Sequence, residues 1–352
     1  MISKIWKTQK LTNDGPFVLD LERELSNHLS LDEILFVSNG TIALQLAIKS
    51  LALKGEVITT PFSFVATTSA IVWENCTPVF VDINKDTLNI DPQKIEALIT
   101  SNTSAILATH VFGTPCDVKS IEIIAKKHNL KVIYDAAHAF GVKVDGKSIF
   151  EYGDISICST HATKVFHTVE GGFLVAKDAS VFTRIKAMRN FGFKDYSSFS
   201  CLGINAKNSE FHAAIGILNL KYIDKILRKR KLLSELYDKL LSPLDFIKPK
   251  LVESANKNYS FYPVILESEE VLINCVEALS RESIFTRRYF YPSLTRSLNY
   301  LKESNELPIV DDISKRVLCL PLYFDLKEDE VKYVSKVLNK TISMQNNQED
   351  KC

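Results

Sequence analysis

The segment SAILATHVFGTPCDVKSIEIIAKKHNLKVIYDAAH (104–138) decides the fold of this chain. It contains two short apolar runs with several β-branched residues, SAILATHV (104–111) and KVIYD (131–135). Such runs are typical of strands that are covered on both faces of a sheet. Between them, DVKSIEIIAKKHN (117–129) has the length and apolar periodicity of a helix. A strand, a helix and a second strand in this order predict parallel strands in an α/β domain.

The same alternation of strands and helices continues on both sides, from about residue 34 to about residue 190. Helical patterns lie at 41–53, 65–75 and 92–100. The further predicted strands are ILFV (34–37), EVIT (56–59), PVFVD (78–82), ISIC (155–158) and FLVA (173–176).

The pattern changes after about residue 210, where one or two long amphipathic helices (210–241) precede a smaller mixture of strands and helices. We therefore predict a large α/β domain with a mainly parallel sheet at residues 1–235. A small C-terminal α+β domain is predicted at 236–344. The polar residues 345–352 are expected to form a disordered tail.

The composition excludes several classes of protein. The 352 residues include 43 Lys and Arg against 42 Asp and Glu, and this net charge of +1 argues against a strongly basic nucleic-acid binder. No apolar run approaches the roughly 18 residues of a membrane span, so we expect no membrane partner, and the first residues lack a signal-peptide pattern. The seven cysteines form no C-x-x-C pair. This predicts reduced, mostly buried thiols in a cytoplasmic protein, and no metal site.

Three polar clusters follow predicted strands, which is where ligands bind in open α/β sheets. The first is Ser38-Asn39-Gly40-Thr41, at the start of a predicted helix. The N–H groups of Gly40 and Thr41, the Thr41 hydroxyl and the helix dipole suit a phosphate group, with a plain helix cap as the alternative. The segment has neither a G-x-G-x-x-G nor a G-x-x-x-x-G-K-[ST] motif, which argues against dinucleotide and Walker-type ATP sites.

The second cluster is Asp135-Ala136-Ala137-His138, directly after KVIYD. Packing explains an aspartate at the end of a buried strand poorly. Asp135 could cap the next helix, hold a metal or pair with a cationic ligand.

The third cluster surrounds Lys164 in STHATKVFHTVEGG (159–172). Most lysines are solvated at the surface, but Lys164 lies in a connection between two buried strands that has no helical face. A lysine in such a setting can have a lowered pKa and form a Schiff base. A phosphate seat, a carboxylate and a lysine after three different strands together predict a site for pyridoxal 5′-phosphate.

With these clusters, the chain resembles the DegT/DnrJ/EryC1/StrS family of pyridoxal phosphate-dependent sugar-nucleotide aminotransferases. The resemblance covers nearly the whole chain and depends on the order and spacing of many blocks. The blocks are LTNDGP (11–16), SNGTIALQLA (38–47), ITTPFSFVAT (58–67), DAAHAFG (135–141), STHATKVFHTVEGG (159–172), LGINAKNSEFHAAIG (202–216), FTRRYFYP (285–292) and CLPLY (319–323). The resemblance implies the aspartate aminotransferase fold, known as fold type I.

The resemblance also implies the roles of individual residues. Lys164 matches the lysine that binds the cofactor covalently and then moves the proton, and Asp135 matches the carboxylate on the pyridine nitrogen. The other implied cofactor contacts are His138 near the ring hydroxyl, Phe64 stacked on the ring, Gly40, Thr41 and Ser159 at the phosphate, and Asn205 reaching the phosphate from a neighbouring subunit. The expected substrate contacts are His161, His167, Glu170, Arg287 and Tyr289.

Some of these roles have alternatives. Asn205 could instead cap or bend the loop within its own subunit. His161 and His167 could bond to the backbone rather than touch substrate. Lys207 stands where many members of the family have arginine.

The implied activity is transfer of an amino group from glutamate to C4 of a nucleotide-linked 4-keto-6-deoxy sugar, with dTDP-4-keto-6-deoxyglucose favoured. The enzyme would be a cytoplasmic homodimer with shared active sites, serving deoxyamino-sugar and O-antigen-type lipopolysaccharide biosynthesis. Three alternatives are a C3 aminotransferase on a dTDP-3-keto-6-deoxy sugar, a sugar 3-dehydratase and a non-catalytic pyridoxal phosphate-binding regulator. Dehydratase relatives replace the lysine with histidine, so Lys164 argues against that class. The intact Lys164, Asp135 and Ser159 argue against the regulator.

Overall fold

The structure is a computed structural model that describes residues 1–244, 246–301 and 306–349. The strands are β1 (Leu35–Val37), β2 (Glu56–Thr59), β3 (Thr77–Phe80), β4 (Thr103–Thr109), β5 (Lys131–Asp135), β6 (Lys143–Val144), β7 (Lys147–Ser148), β8 (Ile155–Ser159), β9 (Gly172–Ala176), β10 (Phe193–Asp195), β11 (Ser198–Phe199), β12 (Tyr262–Ile265) and β13 (Val317–Leu320). The helices are α1 (Ile2–Thr8), α2 (Pro16–Leu29), α3 (Gly40–Ser50), α4 (Val65–Trp73), α5 (Pro92–Ile95), α6 (Val118–His128), α7 (Ala179–Arg189), α8 (Glu210–Leu241), α9 (Glu269–Arg281), α10 (Leu294–Ser297), α11 (Pro308–Arg316) and α12 (Glu328–Glu349).

The central sheet has seven strands in the order β1-β9-β8-β5-β4-β2-β3. The pairs from β8 through β5, β4 and β2 to β3 are parallel, whereas β9 is antiparallel to both β1 and β8. Each strand that the sequence predicted between residues 34 and 176 is present, with ends that differ by no more than two residues. The predicted α/β class with a mainly parallel sheet is therefore confirmed.

Helices cover both faces of this sheet, which explains why its strands are apolar throughout. On β4, Ile106 and Ala108 belong to a core that includes residues of α2, α6 and α8. Ala105 and Leu107, which alternate with them, pack into the opposite core with residues of α3, α4 and α7. Burial of apolar surface on both sides, at about 25 cal/mol per Å², provides the main stabilisation of the sheet.

Helix α8 belongs to two hydrophobic cores. Ala213 and Ile217, in its first half, pack beneath the central sheet. Leu233 and Tyr237, in its second half, join the core that β12, β13, α9 and α12 build in the C-terminal region. The predicted boundary between residues 235 and 236 falls inside this helix. The division into a large and a small domain stays a prediction.

The last helix differs from the sequence prediction. Residues 345–349 were expected to be disordered, but α12 continues to Glu349. Gln and Glu are good helix formers, so the polar sequence extends the helix that precedes it. Residues 350–352 of the predicted tail lie outside the described residues. Across the described ranges, no helix is both long and apolar enough to span a membrane.

A buried carboxylate on α8 holds the start of α2. Glu210 is fully buried, and its two carboxylate oxygens accept the N–H groups of Phe17 and Val18 at 2.8 Å each. These N–H groups lie in the first turn of α2, where no intrahelical partner exists. A Cβ on Gly15 would lie 2.5 Å from Glu210 Cδ. The NDGP turn therefore needs glycine at this position so that the carboxylate can approach.

We predict that Glu210→Gln lowers the free energy of unfolding by about 1–3 kcal/mol, because a neutral amide replaces a charge-assisted acceptor for two buried N–H groups. Urea unfolding followed by circular dichroism measures the change. The matched control is Glu235→Gln on the same helix, which removes only an exposed pair with Lys231. It should change stability by less than about 0.5 kcal/mol. Equal effects of the two variants would contradict the capping role.

Candidate active site

The sheet topology brings the three polar clusters to one edge. Asp135 is the last residue of β5 and Ser159 is the last residue of β8, and these two strands are parallel neighbours. Strand β1 is antiparallel to β9, as is β8, so β1 and β8 run in the same direction. Gly40, which begins α3 just after β1, therefore lies at the same edge of the sheet. This edge is where ligands bind in open α/β sheets.

The start of α3 packs directly against Ser159. A Cβ on Gly40 would lie 2.9 Å from Ser159 Cβ, so only glycine permits this approach. The helix cap is Asn39, whose side chain accepts the N–H of Ile42 at 2.8 Å. The first N–H groups of α3 have no partner within the helix, and the Thr41 side chain is exposed. The segment thus combines a capped helix with an anion seat beside Ser159.

Asp135 is almost completely buried, with 5% of its surface exposed. Its Oδ2 accepts the Thr67 hydroxyl at 2.7 Å, and its Oδ1 accepts the N–H of Ala137 at 3.1 Å. Burial raises the pKa of Asp135, while these two hydrogen bonds and the charge of Lys164 oppose that rise. Local capping, one of the alternatives for Asp135, explains the hydrogen bond to Oδ1 but not the one from Thr67 to Oδ2.

Lys164 lies in the connection between β8 and β9, half-buried, as the sequence predicted. Burial lowers its pKa and the charge of Arg287 lowers it further, whereas Asp135 and Cys158 act in the opposite direction. Among the described residues, the ammonium group has no hydrogen bond or ion pair. A desolvated amine of this kind releases its proton more readily than a surface lysine and is then nucleophilic.

His138 has a buried ring nitrogen that lacks a partner. Its ring lies 4.6 Å from the ring of Phe261 and 5.8 Å from that of Phe290, measured between centroids. Burial and the charge of Lys164 hold the pKa of His138 well below its usual range, so the ring is neutral. Within the described residues, its Nδ1 makes no hydrogen bond. An unpaired buried polar atom indicates a place for a polar ligand group.

These features fit pyridoxal phosphate. A small cleft is lined by His138, Ser159, Lys164 and Phe261, among other residues. It offers an amine for the aldehyde, a neutral imidazole nitrogen for the ring hydroxyl and an anion seat for the phosphate. Over residues 1–244, 246–301 and 306–349, no group of three or more His, Cys, Asp or Glu side chains is arranged to hold a metal ion.

Two of the five expected substrate residues, Arg287 and Tyr289, lie near the cleft in the C-terminal region. Arg287 Nη1 donates to the Tyr289 hydroxyl at 2.8 Å, and the Tyr289 ring lies 5.6 Å from that of Phe261. Phe261 in turn packs on His138, and the charge of Arg287 reaches Lys164. Tyr289 therefore packs against a residue that lines the cofactor cleft, and Arg287 lies beside Tyr289.

The other three expected substrate residues lie in the loop around Lys164. His161 Nδ1 is 2.9 Å from Thr163 Oγ1, and its Nε2 is 3.5 Å from a carboxylate oxygen of the exposed Glu170. The backbone carbonyl of His167 accepts Asn219 Nδ2 at 2.8 Å, and its ring lies close to the same amide. His161 and Glu170 are thus available to a ligand at the surface, while His167 is engaged with α8.

Phe64 and Asn205 are exposed on the single chain. Phe64 precedes α4 and has 56% of its surface exposed. The loop of Asn205 lies beside the first cluster, because the Ser38 N–H donates to the Ala206 carbonyl at 2.8 Å. Neither placement tests the roles implied for these residues.

Sequence reasoning missed several residues that support the site. Thr67 binds Asp135, and Ser63 bonds to Thr67 and to Thr109. Asn258 and Ser260 both donate to the His138 carbonyl, at 2.8 and 2.7 Å. The spacing of Ser63 and Thr67, four residues apart in PFSFVAT, was the available signal, since it places two hydroxyls on one side of a helix start.

The fold and the site together define a pyridoxal phosphate-dependent aminotransferase of fold type I. The chain belongs to the DegT/DnrJ/EryC1/StrS aminotransferase family, which matches residues 1–339. The predicted family, fold class, cofactor and enzyme class are confirmed.

Individual relatives align over nearly the whole chain. It is 42% identical to the dTDP-4-amino-4,6-dideoxy-D-glucose transaminase of Escherichia coli, covering 96% of this chain and 93% of that protein. The GDP-perosamine synthase of Escherichia coli O157:H7 is 29% identical over 95% of this chain and 92% of its own length. The crystal structure of DesI with its TDP-sugar product has a TM-score of 0.92 at 30% identity, covering 100% of this chain and 91% of that chain.

We predict that Lys164 carries the cofactor, because its amine is desolvated and unpaired at the edge of the cleft. Borohydride treatment of the purified holoenzyme should fix the cofactor to a single peptide that contains Lys164. Lys164→Ala should lower kcat by several orders of magnitude, since the nucleophile and the proton carrier are removed together. The exposed Lys177→Ala provides the control and should retain the label. Recovery of the label on another lysine would refute the assignment.

Proposed function

We propose that the enzyme transfers the amino group of glutamate to C4 of a nucleotide-linked 4-keto-6-deoxy sugar, with dTDP-4-keto-6-deoxyglucose as the favoured acceptor. The observation that carries this proposal is the 42% identity, over 96% of the chain, to the Escherichia coli dTDP-4-amino-4,6-dideoxy-D-glucose transaminase. The likeness to DesI, crystallised in the presence of its TDP-sugar product, supports the same nucleotide.

We propose a distinct task for each of the chain's own residues around the cleft. When bound, pyridoxal phosphate supplies an electron sink for negative charge at the carbon that exchanges its proton. Lys164 Nζ, with its pKa lowered by burial, takes that proton and returns it. The Asp135 carboxylate holds positive charge at the pyridine nitrogen. His138 Nδ1 orients the ring through its hydroxyl, while Phe64 packs on the ring face.

The phosphate and the substrate are held by groups around the same cleft. We assign the phosphate to the N–H groups of Gly40 and Thr41 and to the Ser159 hydroxyl, which meet at the start of α3. Arg287, paired with Tyr289, is suited to an anionic group of the donor or the nucleotide. His161, His167 and Glu170 are proposed as contacts to the sugar side.

Two alternatives rest on more distant relatives. A UDP-N-acetyl-3-dehydro-alpha-D-glucosamine 3-aminotransferase from Acidithiobacillus ferrooxidans is 28% identical to this chain. This identity is lower than the 42% to the C4 transaminase, so a C3 aminotransferase has the weaker support. A protein named as a pleiotropic regulatory protein in Geobacillus stearothermophilus is 30% identical over 91% of this chain. A regulatory role of this chain is therefore one of the outcomes that the test below distinguishes.

The proposal predicts turnover of glutamate with a dTDP-4-keto-6-deoxy sugar. The purified holoenzyme is incubated with glutamate and one keto sugar at a time. The sugars are dTDP-, UDP- and GDP-linked 4-keto and 3-keto sugars, and each product is identified by mass and NMR. We expect kcat/KM for the dTDP 4-keto sugar to exceed that of the other acceptors at least tenfold, because a mismatched nucleotide leaves polar groups of the site unpaired. Lys164→Ala is the inactive control. A C3 product, or no half-reaction with glutamate at all, would overturn the C4 proposal.

We also propose a homodimer in which each active site takes Asn205 from the partner chain. Asn205 is exposed, and its side chain makes no hydrogen bond within the described residues of the single chain. Leu202 and Ile204 beside it are also exposed, as are Leu218 and Tyr222 of α8, the helix that follows this loop. Exposed apolar side chains grouped in this way are typical of a surface that a second copy buries.

Co-expression of two inactive variants tests the shared site. If Asn205 acts across the interface, a mixed dimer of Lys164→Ala and Asn205→Ala chains has one site with both residues intact, and random pairing restores about a quarter of the sites. The control pair, Lys164→Ala with Asp135→Asn, should restore none, because those residues act within one chain. Absence of recovery in the first pair, or an active monomer, would contradict the shared site.

The cellular setting is part of the same proposal. The cysteines of the described chain are free, and five of them are buried, which suits a reducing compartment such as the cytoplasm. We propose that the amino sugar supplies O-antigen-type polysaccharide of lipopolysaccharide.

A further inference from the structure

Three hydroxyl groups form a row that ends on Asp135. Thr109 Oγ1 lies 3.0 Å from Ser63 Oγ, which lies 2.8 Å from Thr67 Oγ1, and Thr67 Oγ1 lies 2.7 Å from Asp135 Oδ2. All four side chains are buried. Thr109 and Asp135 are paired at the ends of β4 and β5, whereas Ser63 lies two residues before α4 and Thr67 lies in its first turn.

The charge of Asp135 fixes the direction of every hydrogen bond in this row. An ionised carboxylate has no proton, so Thr67 must donate to Asp135. The Thr67 oxygen therefore accepts the Ser63 proton, and the Ser63 oxygen accepts the Thr109 proton. All three O–H dipoles then point towards the carboxylate, and each bond strengthens the next in the low dielectric of the interior.

The groups around Asp135 other than this row give its ionised form little stabilisation. Burial raises the pKa of Asp135 and so favours the neutral acid. Lys164 is the charged group that opposes this rise, and the Ala137 N–H satisfies only Oδ1. Cys116 and Cys158 also face Asp135, but burial raises the pKa of both thiols, so they are neutral. His138 is neutral as well. Negative charge on Asp135 Oδ2 is therefore stabilised mainly by the hydrogen bond from Thr67.

We propose that Thr67, held by Ser63 and Thr109, is a positioning residue that keeps Asp135 ionised and aimed at the cofactor's ring nitrogen. This inference rests on the role proposed above for Asp135. Without the Thr67 hydroxyl, the Asp135 carboxylate would become a stronger base. It would then take the proton that lies between it and the ring nitrogen onto its own oxygen. A weaker positive charge on the ring would slow proton removal without changing how the sugar nucleotide binds.

The test follows the protonation of the ring nitrogen directly. The full-length enzyme is loaded with pyridoxal phosphate labelled with ¹⁵N in the ring, and the ¹⁵N chemical shift is recorded at pH 7–9. Thr67→Val is compared with Thr68→Val, an adjacent buried threonine on α4 whose hydroxyl lacks a hydrogen-bond partner among the described residues. Thr67→Ser restores a hydroxyl at the same position and serves as the rescue variant.

We expect the wild type, Thr68→Val and Thr67→Ser to show the shift of a protonated ring nitrogen, and Thr67→Val to move towards the unprotonated value. Loss of a hydrogen bond to a charged group corresponds to a pKa change of about one to two units, so kcat should fall about 10- to 100-fold while KM for the keto sugar is unchanged. Ser63→Ala and Thr109→Val, which remove more distant members of the row, should move the shift in the same direction by less.

Asp135→Asn distinguishes the role of the hydroxyl row from the role of Asp135 itself. If Asp135→Asn removes the ring proton but Thr67→Val, Ser63→Ala and Thr109→Val all match Thr68→Val, the row has no role and the proposal is overturned while Asp135 keeps its own. If the wild-type nitrogen is unprotonated, or Asp135→Asn leaves it protonated, the role of Asp135 itself fails and this proposal falls with it. If Thr67→Val does not fold, the Ser63 and Thr109 variants decide between these outcomes.

Discussion

The parallel pairing of β5 with β4 and β8 is the constraint on which the site depends. Because these strands run in one direction, Thr109, Asp135 and Ser159 all end at the same edge of the sheet. The antiparallel strand β9 then returns the chain across the sheet after Lys164, and β1 delivers Gly40 to that edge. Residues that are far apart in sequence become neighbours because the strand directions leave no other arrangement.

Two charged side chains in the interior, Arg189 and Glu210, are held by several polar partners. Arg189 has 1% of its surface exposed and donates to carboxylate oxygens of Asp14 and Glu22 and to the Phe36 carbonyl, at 2.7 to 2.9 Å. Glu210 accepts two N–H groups in the same region. Removing one partner of such a pair leaves a buried charge uncompensated, so these contacts fix the N-terminal segment against the sheet.

The sequence was sufficient for the elements and positions that follow local rules. Lys164 and Asp135 stand out because each follows an apolar strand where packing alone predicts no charged residue. Thr67 was not predicted, because its contact with Asp135 spans 68 residues and depends on how α4 rests against the sheet edge. Residues 345–349 were expected in a disordered tail, although they extend α12, because polar residues near a terminus fit a helix and a disordered tail equally well.

Helix α8 packs its two halves into different cores, with Ile217 beneath the central sheet and Leu233 against the C-terminal region. Successive residues of an α-helix are rotated by about 100°, so the sixteen-residue separation of these two side chains sets the angle between the two buried faces. A single inserted residue in this stretch would turn one face away from its core. Insertions and deletions during evolution are therefore tolerated here only when they preserve helical phase, whereas substitutions on the exposed side are free to accumulate.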